Sequence, residues 1–176
     1  VVLRDGPRAR NVRALLAEGA AEVWGEKRAR SEFSDGDPSP ATVRMLASME
    51  QYVATFADAP VIVLPCMLRY RDPTPSEGAS VYPAVQNLLL GARSVGLGGA
   101  LTMFHQTRET AIRAALELPD AAFIAGTITL GVPAGRHGPV RRRPMSQLVF
   151  EDQWDVSPEW AVDPAGTRFT GGPKNA

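Results

Sequence analysis

Tyr82-Pro83-Ala84-Val85-Gln86-Asn87-Leu88-Leu89-Leu90, followed shortly by Gly96-Leu97-Gly98-Gly99, decides how the rest of the chain is read. Between Ala84 and Ala92 only Gln86 and Asn87 are polar, and as neighbours they share one narrow sector of a helical wheel. Val81, Val85, Leu88, Leu89 and Ala92 fall on one face, while Ala84, Leu90 and Gly91 make the other faces apolar too. A helix apolar nearly all round must be buried nearly all round. Pro83 suits its first turn, where a missing N–H costs little. Gly96 suits its C-terminal cap. In so short a chain such a helix requires layers on both sides or a partner chain.

Outward from this helix the elements follow from periodicity and punctuation. Val1–Leu3 reads as the stub of a strand. Arg8 to about Arg30 repeats apolar residues at helical spacing, with Val12, Leu15, Leu16, Val23 and Trp24 on its inner side. Ser34 to Pro38 is a loop by composition. Ser39-Pro40 is a cap and first turn, opening a helix to about Phe56 with Val43, Leu46, Val53 and Phe56 inward. Val61–Leu64 is a buried strand, Arg71–Gly78 a loop, and Leu101–Met103 a short strand. Thr107 caps a helix ended by Pro119. Phe123–Leu130 reads as one central strand, and Gly135–Pro139 as a turn. The fold class is α+β: a layered domain over residues 1–155, then a C-terminal arm over 156–176.

Composition excludes several classes. Lys plus Arg equals Asp plus Glu, 19 each, so no net charge favours nucleic acid or an anionic membrane. No apolar run approaches the ~20 residues that span a bilayer. The single cysteine, Cys66, rules out an intramolecular disulfide, and the reading is a reducing cytoplasm. His105, His137 and Cys66 share no metal-ligand spacing, so no metal is expected.

Three segments carry candidate chemistry. Arg141-Arg142-Arg143-Pro144 is the densest charge cluster. In an extended segment Arg141 and Arg143 point to one side, and guanidinium groups bind phosphate through paired hydrogen bonds. A solvated basic turn is the competing reading. The glycines from Gly96 to Gly99 allow close approach of a flat ligand, or simply close the helix. They are no dinucleotide fingerprint, which opens a helix instead. Gly78-Ala79-Ser80-Val81-Tyr82 falls short of a nucleophile elbow, which needs Gly where Tyr82 stands and a strand before it. Ser80 as a helix N-cap accounts for it better.

The run from Ser80 to Leu101 resembles the central helix and following turn of the nitroreductase family, FMN-dependent NAD(P)H oxidoreductases. Phe123 to Gly135 is similar to the family's late hydrophobic strand and its Gly-x-Pro turn. Val140 to Asp155 is similar to its basic, phosphate-facing turn. The resemblance covers roughly residues 1–155. It implies a mainly antiparallel sheet flanked by helices, a homodimer with both flavins at its interface, and FMN reduced by NADH or NADPH. A small electron-poor acceptor (nitroaromatic, quinone or activated alkene) would then be reduced in ping-pong fashion. It also implies ring contacts from Ser80 and Tyr82, and backbone donors at Gly98, Gly99, Ala100 and Leu101. Arg141 and Arg143 would hold the phosphate. No obligatory catalytic side chain is implied. The family's opening Arg-Ser-x-Arg and Pro-Ser-x-x-Asn-x-Gln-Pro-Trp segments do not occur in this sequence, which begins Val-Val-Leu-Arg-Asp. A flavin-binding or flavin-sequestering protein without catalysis is the alternative reading.

Overall fold

The computed structural model describes residues 1–32, 39–135 and 142–167. The chain divides into two compact units, Val1–Pro133 and Ala134–Ala176. In the first, the elements run β1 (Val2–Leu3), α1 (Pro7–Ala29), α2 (Pro40–Ala54), β2 (Val61–Val63), β3 (Cys66–Leu68), α3 (Tyr82–Ser94), β4 (Gly98–Thr102), α4 (Glu109–Leu116), β5 (Ala122–Ile124) and β6 (Thr127–Gly131). Four strands form an antiparallel sheet in the order β1-β2-β6-β4, and β3 pairs with β5. This is the α+β class expected from the sequence.

The expected single strand from Phe123 to Leu130 is two strands in two sheets. Between the pairs Val63↔Ile128 and Cys66↔Ile124, Leu64-Pro65 faces Ala125-Gly126-Thr127, so the second strand carries one extra residue. That is a bulge, and a one-residue slip sends later side chains to the opposite face. Ile128 accordingly packs under α3, whereas Ile124 joins the core on the other side. Gly126 stands at the break, where a Cβ would come within 2.6 Å of Leu101 Cδ1. Cys66 follows β2, begins β3 and is half-buried.

One sheet face is closed. Leu3, Ile62 and Leu64 pack there with Val12, Leu16 and Ala20 of α1, Ile112 of α4, and Phe56 and Phe104 from connecting turns. Arg13 is buried in this layer and spends all five guanidinium N–H groups on backbone. They donate to the carbonyls of Leu3, Arg4, Ala57, Ala59 and Pro60. A buried cation is tolerable only when so satisfied; here it staples the chain leaving β1 to the chain entering β2. Ser39 caps α2 as expected, its Oγ accepting from the Thr42 N–H at 3.2 Å. Val43, expected inward, is exposed, because α2 rests on the core only through its C-terminal half, where Tyr52 and Val53 are half-buried.

The other face carries α3. Val81, Val85, Leu89 and Ala92 recur at helical spacing; the first three pack with Ile128 and Leu130 of β6, and of the four only Leu89 is half-buried. Burial on every side, the expectation for this helix, is not supplied within the chain: Leu88, Leu90 and Val95 are exposed. The helix ends as its sequence predicts. Gly96 has φ +83, its N–H donates to Arg93 O, and the Leu97 N–H donates to Ala92 O at 2.9 Å. That is a Schellman cap, a conformation that suits glycine. Only Gly96 belongs to the turn. Gly98 and Gly99, expected within it, open β4 opposite Gly131 and Leu130.

Candidate functional site

β4 brings Gly98, Gly99, Ala100 and Leu101 together on the outer strand of the sheet. Among the described residues it pairs with β6 alone. In an antiparallel ladder alternate residues turn their N–H and C=O away from the partner strand. The free side of β4 is therefore a row of backbone donors and acceptors bearing two glycines and an alanine. Gly99 has a packing reason of its own: a Cβ there would lie 2.8 Å from Cδ2 of both Leu89 and Leu130. Its absence lets α3 sit directly on β4.

Ser80 and Tyr82 lie at the other end of α3. Val81 and Val85 pack on Ala125 and Ile128, at the start of β6, whereas Leu89 reaches Gly99 and Leu130. The helix thus runs antiparallel to β4, and its beginning lies toward the Leu101–Thr102 end of that strand. Ser80 ends the 3-10 turn Glu77–Ser80 and is exposed; Val81, not Ser80, occupies the N-cap, with no side-chain cap bond. Tyr82 is 38% exposed, and its ring lies where a Cβ on Gly78 would be, 2.6 Å from Cε2. No strand leads into this segment, so it is no nucleophile elbow. Glu77, an isolated loop carboxylate in the sequence, accepts two bonds from Arg69 at 2.9 and 2.6 Å. That pairing holds its carboxyl below the usual carboxylate range. The Arg69 guanidinium also lies 4.3 Å from the Phe123 ring centroid.

Beyond β4 the chain turns through Met103, Phe104 and His105. His105 is 2% exposed, and its Nδ1 lies 3.3 Å from Thr127 Oγ1. Burial pushes its pKa below the ordinary histidine value, against a weaker opposing effect of Glu109. It is a satisfied interior histidine. Tyr52 reaches the same side of β6, its hydroxyl 2.9 Å from Thr129 Oγ1.

In the second unit Arg142 and Arg143 are both exposed and form no ion pair with a described residue. Arg141 lies outside the described residues. The next turn is held by Asp163, whose two carboxylate oxygens each accept from the Met145 N–H at 3.2 Å. The described part of the C-terminal arm thus folds back on residues 145–151, with a further bond from the Glu151 N–H to Val156 O. It leaves Trp154 and Trp160 largely exposed, with a ring contact between Trp154 and Phe150 at 4.9 Å.

The sequence profile of the nitroreductase family matches residues 1–132, a span that takes in α3, its glycine cap and β4. The chain belongs to the nitroreductase family. Solved structures agree in fold. A putative NADH dehydrogenase/NAD(P)H nitroreductase from Parabacteroides distasonis is 22% identical, with TM-score 0.56, 88% of this chain and 71% of that one covered. A BluB-like flavoprotein from Clostridium difficile is 18% identical, with TM-score 0.54 and coverage of 87% and 78%. The NADPH:FMN oxidoreductase from Vibrio harveyi is 19% identical, with TM-score 0.55 and coverage of 88% and 59%. No curated protein matches the chain. α3 and its glycine cap were legible in the sequence. Arg13 and the His105–Thr127 pair gave no signal in the sequence, because both depend on contacts between residues far apart in it.

Proposed function

We propose that this nitroreductase is a flavin oxidoreductase that takes electrons from NADH or NADPH and passes them to a small electron-poor acceptor. Nitroaromatics, quinones and activated alkenes are the acceptor class. The observation that carries the reading is the free edge of β4, immediately behind the α3 cap and inside the residues matched to the family. FMN fits that edge. Its ring presents acceptors along one side, and a strand rich in glycine offers backbone donors with no side chain in the way. When bound, FMN supplies the hydride chemistry. The chain's own part is binding and orientation. Backbone N–H groups among Gly98, Gly99, Ala100 and Leu101 donate to the ring, where fixed donors stabilise negative charge without reorganising. Ser80 and Tyr82 contact it from the start of α3. Arg141 and Arg143 are assigned the phosphate, on their spacing and on family likeness. The likeness in fold to the NADPH:FMN oxidoreductase from Vibrio harveyi supports the cofactor pair.

A homodimer belongs to the same proposal. Ala84, Leu88, Gly91 and Val95 follow one another at spacings of four, three and four, a second apolar stripe beside the buried one, and all four are exposed in the single chain. A two-fold axis would set this stripe against its own copy. The deciding experiment titrates purified protein with FMN by flavin fluorescence, then adds NADH or NADPH without oxygen and follows the visible spectrum. Quenching followed by bleaching is expected. Absence of binding refutes the cofactor assignment. Binding without reduction by either nucleotide leaves the flavin-sequestering alternative standing.

A further inference from the structure

Thr127 ties down both ends of the turn that follows β4. It pairs with Thr102, the last residue of that strand, and its carbonyl accepts from Thr102 Oγ1 at 3.3 Å. Its own hydroxyl lies 3.3 Å from Nδ1 of His105, three residues further on. Thr127 is fully buried and His105 nearly so. The turn between them is pressed onto α1: a Cβ on Gly19 would lie 2.1 Å from the Phe104 carbonyl oxygen. Arg108, at the far end of the turn, reaches back to Glu18 at 3.2 Å and to Glu22. Among the described residues β4 has a ladder on one side only, and its open side is the edge assigned to the flavin. Whatever fixes its outgoing end therefore fixes the direction of its donors.

We propose that His105 is a positioning residue: its hydrogen bond with Thr127 latches the end of β4 and so aims the strand's free backbone donors at the cofactor. The proposal rests on the reading of β4 as the flavin edge, but the latch itself is a property of the chain without ligand. In the tautomer of the neutral imidazole that carries its proton on Nε2, Nδ1 accepts from the Thr127 hydroxyl. A protonated ring would present N–H at both positions inside a layer of Phe104, Ile112 and Ile124. Glu109 of α4 is the charged group that acts on it; β6 offers only the Thr127 hydroxyl, and β5 the Ile124 carbonyl.

Two measurements test this on the full chain. The first is amide hydrogen exchange of the protein without flavin. His105→Leu and Thr127→Val, which remove the acceptor and the donor at little change of volume, should each lower protection of the Thr102–Met103 amides about tenfold, the effect of losing ~1.4 kcal/mol. Protection at Leu89 of α3 should stay unchanged. His105→Asn, whose carbonyl oxygen replaces Nδ1, and Thr127→Ser, which keeps the hydroxyl, should restore it. The second is the FMN dissociation constant, expected to rise about tenfold in the first two variants and to recover in the last two. Unchanged protection at Thr102–Met103 in both His105→Leu and Thr127→Val overturns the latch. So does equal loss at Leu89, which would mark a general weakening of the core. If the unmodified chain binds no FMN, the function reading falls and exchange alone decides the latch. If exchange behaves as stated but FMN affinity is unmoved in every variant, the latch exists without a positioning role and the proposal is refuted.

Discussion

The two faces of the central sheet are built to different ends. Under α1, α2 and α4 the sheet is closed: Val12, Leu16, Ile62, Leu64 and Ile112 have no solvent exposure, and the buried cation Arg13 has every donor used. Under α3 it is closed, among the described residues, by one helix only, whose outer surface stays apolar and exposed, and its outer strand β4 has no second neighbour among them. Fully satisfied layers hold a fold together. A layer left apolar and unpaired in the single chain is where a partner or a ligand has something to gain.

The largest effect is expected on the closed face. Arg13→Met removes five hydrogen bonds and strands the carbonyls of Leu3, Arg4, Ala57, Ala59 and Pro60. A loss of about 4 kcal/mol follows, the upper end for a broken buried network, read as a fall in the urea midpoint at constant slope. Arg13→Lys should rescue little of it, since an ammonium cannot span the same fork.

Two glycines of α1 sharpen the comparison within one helix. Gly19→Ala would force a Cβ against the Phe104 carbonyl and should cost about 2–3 kcal/mol, as overpacking does. Gly25 meets nothing within 4 Å, so Gly25→Ala should stabilise by about 0.5–1 kcal/mol through helix entropy. Thermal melts showing the same sign for both would mean that α1 does not press on the turn after β4.

On the open face the signature is reversed. Leu88→Asp should change the stability of the isolated fold by about 1 kcal/mol or less, because the side chain is already 36% exposed there. It should nevertheless abolish the proposed dimer in sedimentation, since the charge would be buried unpaired. A sedimentation coefficient that does not change would remove α3 from the interface.

Acid should act on the closed face through His105. Its folded pKa lies below the ordinary 6.5 because of burial. The unfolded chain therefore takes up a proton first, and the contribution of the neutral ring is complete above about pH 6.5 and lost as pH falls toward the folded pKa. Each unit of depression is worth about 1.4 kcal/mol. His105→Asn should remove this part of the slope in a pH series of melts. The smallest effect is at the end of α4. Glu117 caps that helix at φ +54, a left-handed position, and its ion pair with Arg8 is exposed. Glu117→Gly should gain about 0.5–1 kcal/mol, less whatever little the ion pair contributed.

Local chemistry was legible wherever one segment carried it. The Ser39 cap, the Pro83 first turn, the Gly96 cap, the extent of α1 and the α+β class all depend on residues close together in the chain. The run Phe123–Leu130 was legible as strand but not as two, because a one-residue bulge leaves an all-apolar sequence looking continuous. Thr107 carries a capping signal, yet α4 starts after a 3-10 turn and its N-cap is Arg108, without a side-chain bond. The candidate site divides the same way. The sequence pointed to Gly98 through Leu101, but took the glycines for a turn. Their place on the outer strand follows from the sheet order β1-β2-β6-β4, in which β6 has β2 on its other side.

The sequence by itself therefore determined which segments turn, which are helical, and that the helix from Tyr82 to Ser94 has more apolar surface than one neighbour can cover. Those properties reside in backbone preference and in side-chain spacing along a single element. Only the tertiary structure decided that Arg13 is a buried staple, that Ile124 and Ile128 serve opposite faces, and that Thr127 holds both ends of the turn after β4. Each of these joins residues from different elements, and a hydrogen bond or a packing contact exists only once those elements have been brought within a few ångströms of each other.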